Sequence, residues 1–578
     1  MSDLLRETPA GQAIRILSRN RLLRYPEERP DFEIPPQYLV ELNRSEKPGE
    51  VTESDTVKDG ISNANTLLSS SSLHEVDDVE SLRQVQMASD HSLGVRRTKS
   101  IPIAPQKTSD GIILVDWYTN DDPANPKNWS SLKKSFVMFV LCVYTFTVYC
   151  AGPTYSIAAE QIQEYFSVSA VAASLGLGLY VLAYGIGDLL FAPLSEIPAI
   201  GRNPVYWVPF IVFWVLSFPE TVIEDFGSLL ALRFWLGFFG SPALANGGAT
   251  AGDLFDIFDI PFGLSWWVLS AWAGPAFGPV IGGFAAQANG WRWPMWEIVW
   301  MASISLIALL LFMPETSSQN ILLRRARRLR KLTGDQRLQS QSEIDQHNMK
   351  VSDIVSTALI RPMEIMLKDP AIFFVNLYTG FFYGVFYTFF EVFPLVFPVM
   401  YGFSLSQTSL TFLSCLVGVA IALLLYFAYL YFYMVPDNKK NGLREQEHRL
   451  VPAIVGAFFI TSGLFVFAWT SRPDVHWIAP LTGAALFCIG HFWTMQSLFI
   501  YLPLSYPKYT ASLFAGNSIW RSGIAVGSVA FARPLFVKLG VARGVTLLGG
   551  FSVAGIFGTT AIYVFGKKLR ARSKFAES

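Results

Sequence analysis

The chain has 578 residues, of which 51% are hydrophobic and 16% are charged, and its mean hydropathy is +0.35. Soluble globular domains carry about 25% charged residues, so this composition excludes a soluble protein and indicates an integral membrane protein. Basic and acidic side chains number 45 each, so no net charge draws the chain to nucleic acid, and we expect no nucleic-acid partner.

Only four cysteines and six histidines are present. All four cysteines fall in apolar segments, which argues against both a disulfide framework and a zinc site. The sequence also has no HExxH motif, no GxSxG motif and no cluster of metal ligands, so an intramembrane enzyme is the least favoured class. We therefore expect no enzymatic activity, no metal and no cofactor.

Residues 1–130 are polar and rich in serine and charged side chains. This composition is typical of segments that cannot bury enough apolar surface to fold. The first residues after Met1 do not resemble a cleavable signal peptide. We therefore expect a mostly disordered N-terminal tail.

From residue 134 onward, apolar windows of about 20 residues recur between short polar breaks, and each window is long enough to cross a membrane once. The sequence predicts an all-α integral membrane protein with twelve transmembrane helices in two six-helix halves. The predicted spans one to twelve are residues 134–155, 170–193, 204–221, 228–250, 262–286, 293–313, 371–394, 404–432, 451–470, 477–501, 511–532 and 541–565.

These windows divide the chain into five parts. The predicted parts are the tail 1–130, an N-terminal six-helix half 131–315, a connector 316–370, a C-terminal six-helix half 371–566 and a C-terminal tail 567–578.

Lysine and arginine concentrate on one side of the predicted spans. The connector carries a basic run between Arg324 and Lys331, and further basic residues precede span one and follow span twelve. Because cytoplasmic loops of membrane proteins carry an excess of Lys and Arg, both termini are predicted to be cytoplasmic. The expected location is the plasma membrane, and the expected state is a monomer.

Ionisable side chains inside the spans are the candidates for chemistry, because a charge in the bilayer costs roughly 2.5–3.5 kcal/mol on insertion scales. Arg233 in span four keeps its proton, whereas a desolvated glutamate can gain and lose one near neutral pH. Glu391 in span seven is the first candidate for the titrating group because aromatic residues surround it, and Glu297 in span six is the second. The alternative for both acids is a static ion pair or a headgroup-level position.

Two other ionisable residues have less defined roles. His491 in span ten is either a proton relay or a hydrogen-bonded packing residue. Asp188 lies near the cytoplasmic end of span two, and a structural role is expected for it. Spans seven and eight are dense in aromatic residues, which either line a cavity for flat apolar or cationic ligands or face lipid.

Span five contains glycines at four-residue spacing, which fall on one helix face. Glycine and proline weaken a helix in water, whereas a membrane tolerates them where helices pack closely. A closely packed, kinked helix is predicted. The motif consists of Gly274, Pro275, Gly278, Pro279, Gly282 and Gly283.

Several of these motifs occur together in one known family. They are the segments 233–237 and 241–249 in span four, the span-five motif, and the Gly516-Asn517 and Arg521-Ser522 pairs in span eleven. With them the chain resembles the major facilitator superfamily, in particular the fungal twelve-span drug:proton antiporters of the benomyl and fluconazole resistance type.

The resemblance implies that two six-helix halves rock about a central cavity and expose it alternately to the two sides. It also implies close packing of the span-five glycines against the other half, and a cytoplasmic gate formed by Glu196, Gly201 and Arg202. The cavity residues that it suggests are Asn246, Tyr378, Phe382, Tyr383, Phe386, His491, Asn517 and Arg521.

The expected function is proton-coupled export of structurally varied small apolar or cationic compounds, such as azole- or benzimidazole-like drugs, from a fungal cell. The expected partners are these small molecules, protons and the lipid bilayer. Two alternatives remain: a proton-coupled uptake symporter, and a non-transporting membrane receptor of the same fold.

Overall fold

Twelve helices occupy the places of the predicted spans in the structure, a computed structural model that describes residues 2–43, 100–108, 111–256, 259–347, 364–442, 444–506 and 510–572. Among these residues, eleven helices are long and apolar enough to cross a membrane. The helix Arg202–Glu220 lies at the position of span three. Spans one to six are Ser131–Ser156, Ala170–Glu196, Arg202–Glu220, Phe226–Leu254, Ile260–Asn289 and Arg292–Phe312. Spans seven to twelve are Pro370–Tyr401, Leu405–Asn441, Gln446–Thr470, Ile478–Ser505, Thr510–Leu539 and Val541–Arg572.

Several spans begin at a polar capping residue. The side chains of Ser130, Ser169, Asp225 and Asp369 accept hydrogen bonds from backbone N–H groups in the first turns of spans one, two, four and seven. These N–H groups have no partner within the helix, so a capping oxygen stabilises each start. Gly402 ends span seven with φ +71°, a conformation that favours glycine.

Each half is built from close helix contacts. Span one packs against spans five and six and span two against span four, while span seven packs against span eleven and span ten against spans eight and nine. At the crossing of spans nine and ten, a Cβ on Gly483 would lie 2.5 Å from the backbone nitrogen of Phe467. The two halves meet where span two lies along span eleven and where span five lies along span eight.

The described parts of the N-terminal segment are folded, in contrast to the expected disorder. Helices Ser2–Glu7, Pro9–Leu17 and Pro36–Asn43 precede span one, and the strand Ile113–Leu114 pairs in parallel with Leu338–Gln339 of the connector. Residues 44–99, which belong to the same predicted tail, lie outside the described residues.

Buried ion pairs hold this segment against the connector helix Ser318–Thr333. Arg325 donates to Asp122 at 2.7 Å and lies 3.4 Å from Glu27, and Arg328 donates to Glu27 at 3.0 Å. Composition alone predicts disorder here because it does not reveal these stabilising ion pairs. Their partners are more than 200 residues apart in the sequence. The end of the helix bundle that carries this segment and the connector is called the connector face below, and the other end is the opposite face.

Candidate functional site

A central cavity lies between the halves. Half of its wall residues are Phe, Tyr or Trp, so it can contact flat apolar molecules without requiring a fixed set of hydrogen bonds. The first half contributes Tyr149, Leu244, Trp267, Val268, Ala271, Trp272 and Pro275, and the second contributes Tyr383, Phe386, Tyr387, His491, Met495, Phe499 and Arg521.

Four of the eight predicted cavity residues line this cavity: Tyr383, Phe386, His491 and Arg521. The Arg521 guanidinium lies 5.0 Å from the centre of the Tyr383 ring. The spacing in the sequence did not reveal the first-half aromatic residues of the wall, because span one and span five show no aromatic density comparable to that of span seven.

The other four predicted cavity residues lie elsewhere. Asn246 accepts a hydrogen bond from Ser195 at 3.0 Å, near the connector face. Asn517 donates to the side chains of Asn376 at 2.8 Å and Thr379 at 2.7 Å, which joins span eleven to span seven. These amides are held by neighbouring helices within the protein.

Tyr378 and Phe382 lie behind the cavity wall. The Tyr378 ring fills the space beside Gly555 of span twelve. The Phe382 ring contacts the His491 ring, with centroids 4.4 Å apart. Spacing along span seven places both residues near the face that carries Phe386, but only the neighbouring helices decide which of them reaches the cavity.

His491 is 1% exposed and is enclosed by aromatic rings. Neither ring nitrogen has a hydrogen-bond partner among the described residues. The predicted hydrogen bond of a packing histidine is therefore not present in this part of the chain.

Arg233 pairs with neither Glu391 nor Glu297. Its guanidinium donates to Glu220 at 3.1 Å, and neither side chain is exposed to solvent. It also donates to the carbonyl oxygens of Gly176, Ala151 and Gly152. Arg233 thus ties spans one, two, three and four together.

Glu220 was not among the residues predicted to take part in proton coupling. The residue ends span three and is fully buried. The available signal was the short turn after it, which makes spans three and four a helical hairpin and brings Arg233 back toward Glu220.

Glu391 links the two halves. Its carboxylate accepts a hydrogen bond of 2.7 Å from the Ser174 hydroxyl of span two. The residue is 7% exposed and lies nearer the opposite face. Glu297 in span six is partly buried, and its Oε2 atom has no hydrogen-bond partner among the described residues.

The glycine face of span five packs against span one of the same half, and the expected contact with the other half is wrong for most of the motif. A Cβ on Gly274 would lie 2.8 Å from the backbone nitrogen of Cys150, and one on Gly278 would lie 2.8 Å from the Cys150 carbonyl oxygen. A Cβ on Gly282 would lie 2.8 Å from the backbone of Thr154.

The three remaining members of the motif have different surroundings. Gly283 faces Ser409 of span eight, and a Cβ there would collide with its hydroxyl. Pro275 lines the cavity, and Pro279 is buried within span five. The helix periodicity correctly predicted that the glycines share one helix face. It could not predict which helix packs against that face.

Arg202, at the predicted gate, pairs with Asp253 at 3.2 Å and donates to Ser195 at 2.8 Å. Glu196, predicted to act with it, is exposed and makes no ion pair with Arg202 within the described residues. The missed partner is Asp253, which ends span four.

Gly201 has φ +80°, and a Cβ on it would collide with the Glu315 carboxylate. Glu315 accepts from the backbone N–H groups of Arg202 at 3.0 Å and Asn203 at 3.2 Å. The tight glycine turn therefore lets a carboxylate after span six hold the start of span three.

Comparisons with known proteins identify the family of this chain. The family model described as Major Facilitator Superfamily matches residues 137–530. The chain belongs to this superfamily. The transporter pyvG of Aspergillus violaceofuscus, described as MFS-type, is 39% identical over 576 residues, with 100% of both chains covered. Fluconazole resistance protein 1 of Saccharomyces cerevisiae is 36% identical over 468 residues, which cover 80% of this chain and 85% of the relative.

A solved structure shares the fold. The proton:xylose symporter XylE bound to 6-bromo-6-deoxy-D-glucose has a TM-score of 0.52 and 14% sequence identity, over 76% of this chain and 96% of that chain. The resemblance to fungal drug-resistance transporters and the predicted all-α membrane fold are confirmed. The chain is a multi-pass membrane transporter of this superfamily and not an enzyme.

Proposed function

We propose that this chain is a proton-coupled antiporter that exports structurally varied small apolar or cationic compounds, including azole- or benzimidazole-like drugs, from a fungal cell. The observation that carries the proposal is the aromatic cavity enclosed between two halves that touch through a buried carboxylate. The name of one relative, Fluconazole resistance protein 1, supports an azole as one substrate class.

The cavity chemistry suits varied ligands. Aromatic faces such as those of Trp272, Tyr383 and Phe386 stack on flat rings and attract cations. Such contacts do not depend on one hydrogen-bonding pattern, so compounds of different shape can share the site. Arg521 is the one charged side chain on the described wall and favours ligands that keep a cationic group away from it.

Proton coupling requires a buried group that exchanges a proton with each side in turn. Glu391 suits this role because its hydrogen bond to Ser174 crosses between the halves, so its surroundings change when the halves move apart. Glu297 is the second candidate. Arg233 contributes a permanent charge, which Glu220 neutralises within the first half.

The proposed cycle is alternating access by the halves 131–315 and 371–566, with the connector face in the cytoplasm and both termini on that side. A proton that enters from outside releases the exported compound, and its loss inside restores affinity. Arg202, Gly201 and Glu196 lie at the cytoplasmic gate in this scheme. The protein acts as a monomer in the plasma membrane.

The experiment compares cells that make the protein with cells that lack it. Intracellular retention of an azole, a benzimidazole and a cationic dye is measured at acidic and at near-neutral external pH. Retention should fall in cells with the protein, and the fall should be larger in acidic medium. Equal retention in the two kinds of cell, or greater accumulation in cells with the protein, contradicts export.

A further inference from the structure

Asp188 is a buried acid that the proposed cycle has not yet used. It lies in span two, is 1% exposed, and accepts a hydrogen bond of 2.5 Å from the Ser518 hydroxyl of span eleven. Span two belongs to the first half and span eleven to the second. The contact therefore has to break when the halves separate at this level.

One charged side chain of the second half faces Asp188. Arg521 of span eleven and the phenols of Tyr144 and Tyr149 of span one interact with its carboxylate. The Asp188 Oδ1 atom and the Arg521 Nε atom have no hydrogen-bond partner among the described residues. Buried polar atoms of this kind mark places where water enters or where a contact changes during function.

Apart from Glu391, which accepts a hydrogen bond from Ser174, the other charged groups that the described residues bury against span two are paired. Arg233 and Glu220 pair beside Gly176, and Arg202 and Asp253 pair beside Ser195. Both pairs lie within the first half. Among the described residues, Arg521 is thus the charge from the second half that acts on Asp188.

A second contact of the same kind lies at the other end of span two. Ser174 donates to Glu391 near the opposite face, whereas Asp188 accepts from Ser518 near the connector face. Fourteen residues separate positions 174 and 188, so at 1.5 Å per residue the contacts lie about 21 Å apart along the helix. One carboxylate-hydroxyl contact between the halves therefore lies on each side of the cavity.

We propose that Asp188 is a proton-binding residue that closes the connector face. The ionised carboxylate attracts Arg521 and accepts from Ser518, which holds spans two and eleven together. A proton that reaches Asp188 from the opposite side cancels the attraction to Arg521, so the connector face opens and the proton then leaves to water on that side. This direction of proton movement agrees with antiport, and the inference rests on the proposed function.

The test measures distances between spin labels in the full chain, reconstituted in lipid nanodiscs at acidic and at alkaline pH. The native cysteines are replaced. Labels at Ala199 and Lys440 report on the connector face, and labels at Glu164 and Asp474 report on the opposite face. All four positions are exposed.

The labelled protein without further substitutions is called the parent. In the parent, the distance between the labels at positions 199 and 440 on the connector face should lengthen as the pH falls. Asp188→Asn imitates the protonated acid and should show the long distance at both pH values, with loss of the pH response at this face. Glu391→Gln is the matched control, because it changes the other contact and should keep the connector-face response.

Ser518→Ala provides a second, milder variant in case Asp188→Asn does not fold. It should shift the connector-face population toward the long distance and keep the pH response, because Arg521 remains. A parent-like distance distribution and pH response in Asp188→Asn, or no shift in Ser518→Ala, overturns the proposal.

The outcomes separate this inference from the proposed function. If the parent exports its substrates with protons while Asp188→Asn keeps the parent response, the inference fails and the export function stands. If Asp188→Asn loses the response while the parent exports nothing, the contact stands and the function fails.

Discussion

The close contact between spans one and five gives a prediction with a calculable size. Ala at position 278 would place its Cβ 2.8 Å from the Cys150 carbonyl oxygen and 3.1 Å from the Thr154 backbone nitrogen. Ordinary contacts begin at about 3.4 Å, so the helices would have to separate by about 0.6 Å. Both clashing atoms belong to backbone, so no side chain can rotate away.

Overpacking of this kind costs about 1–3 kcal/mol, against which the gain in helix propensity of alanine over glycine is about 1 kcal/mol. Gly278→Ala should therefore lower the thermal stability of the purified protein. Because the contact lies inside the first half, the loss should appear in stability before it appears in proton leak.

Gly523→Ala is the matched control for this variant. Gly523 also lies in a membrane span, but a Cβ there would meet no atom within 4 Å. The control should keep or slightly raise the melting temperature in the same detergent. Equal melting temperatures for the two variants would refute the claim that the glycine face is a backbone contact.

Three further variants test other parts of the structure. Glu220→Gln leaves Arg233 buried without a counter-charge and should lower the free energy of unfolding by about 3–5 kcal/mol, seen as loss of folded protein; a parent-like melting curve argues against the pair. Glu391→Gln preserves the acceptor for the serine hydroxyl and should abolish proton-dependent export at normal surface amounts; unchanged pH-dependent export would exclude Glu391. Burial raises the pKa of Asp122, but hydrogen bonds and charge from Arg325 outweigh this and hold that pKa below its usual value. Stability from this pair is thus present above the unfolded pKa and lost as the pH falls through the acid range, and Asp122→Asn should flatten melting temperature against pH there; an unchanged slope contradicts this.

The positions of the spans could be read from the sequence because an apolar window of membrane length has few alternatives. The helix face of Gly274 and Gly278 could be read as well, since the helical period fixes which residues share a face. Which helix covers that face depends on contacts between distant segments. The resemblance suggested the other half, whereas the backbone of span one covers it.

Pairing of buried charges was the least predictable feature. Arg233 was correctly recognised as a buried charge, but its partner Glu220 lies at a span end, where polar residues usually face water. Asp188 and Ser518 are 330 positions apart, and only the packing of the two halves brings them together. The ordered N-terminal segment was missed for the same reason, because Glu27 and Asp122 find their arginines in the connector.

The most direct test of the central claim uses purified protein in sealed lipid vesicles with an imposed pH gradient. The assay measures movement of fluconazole and of a fluorescent cationic dye, with empty vesicles as the control. Proton-driven antiport predicts that substrate moves against the direction of proton flow and that transport stops when an ionophore collapses the gradient. Equal transport rates with and without the gradient would contradict the account.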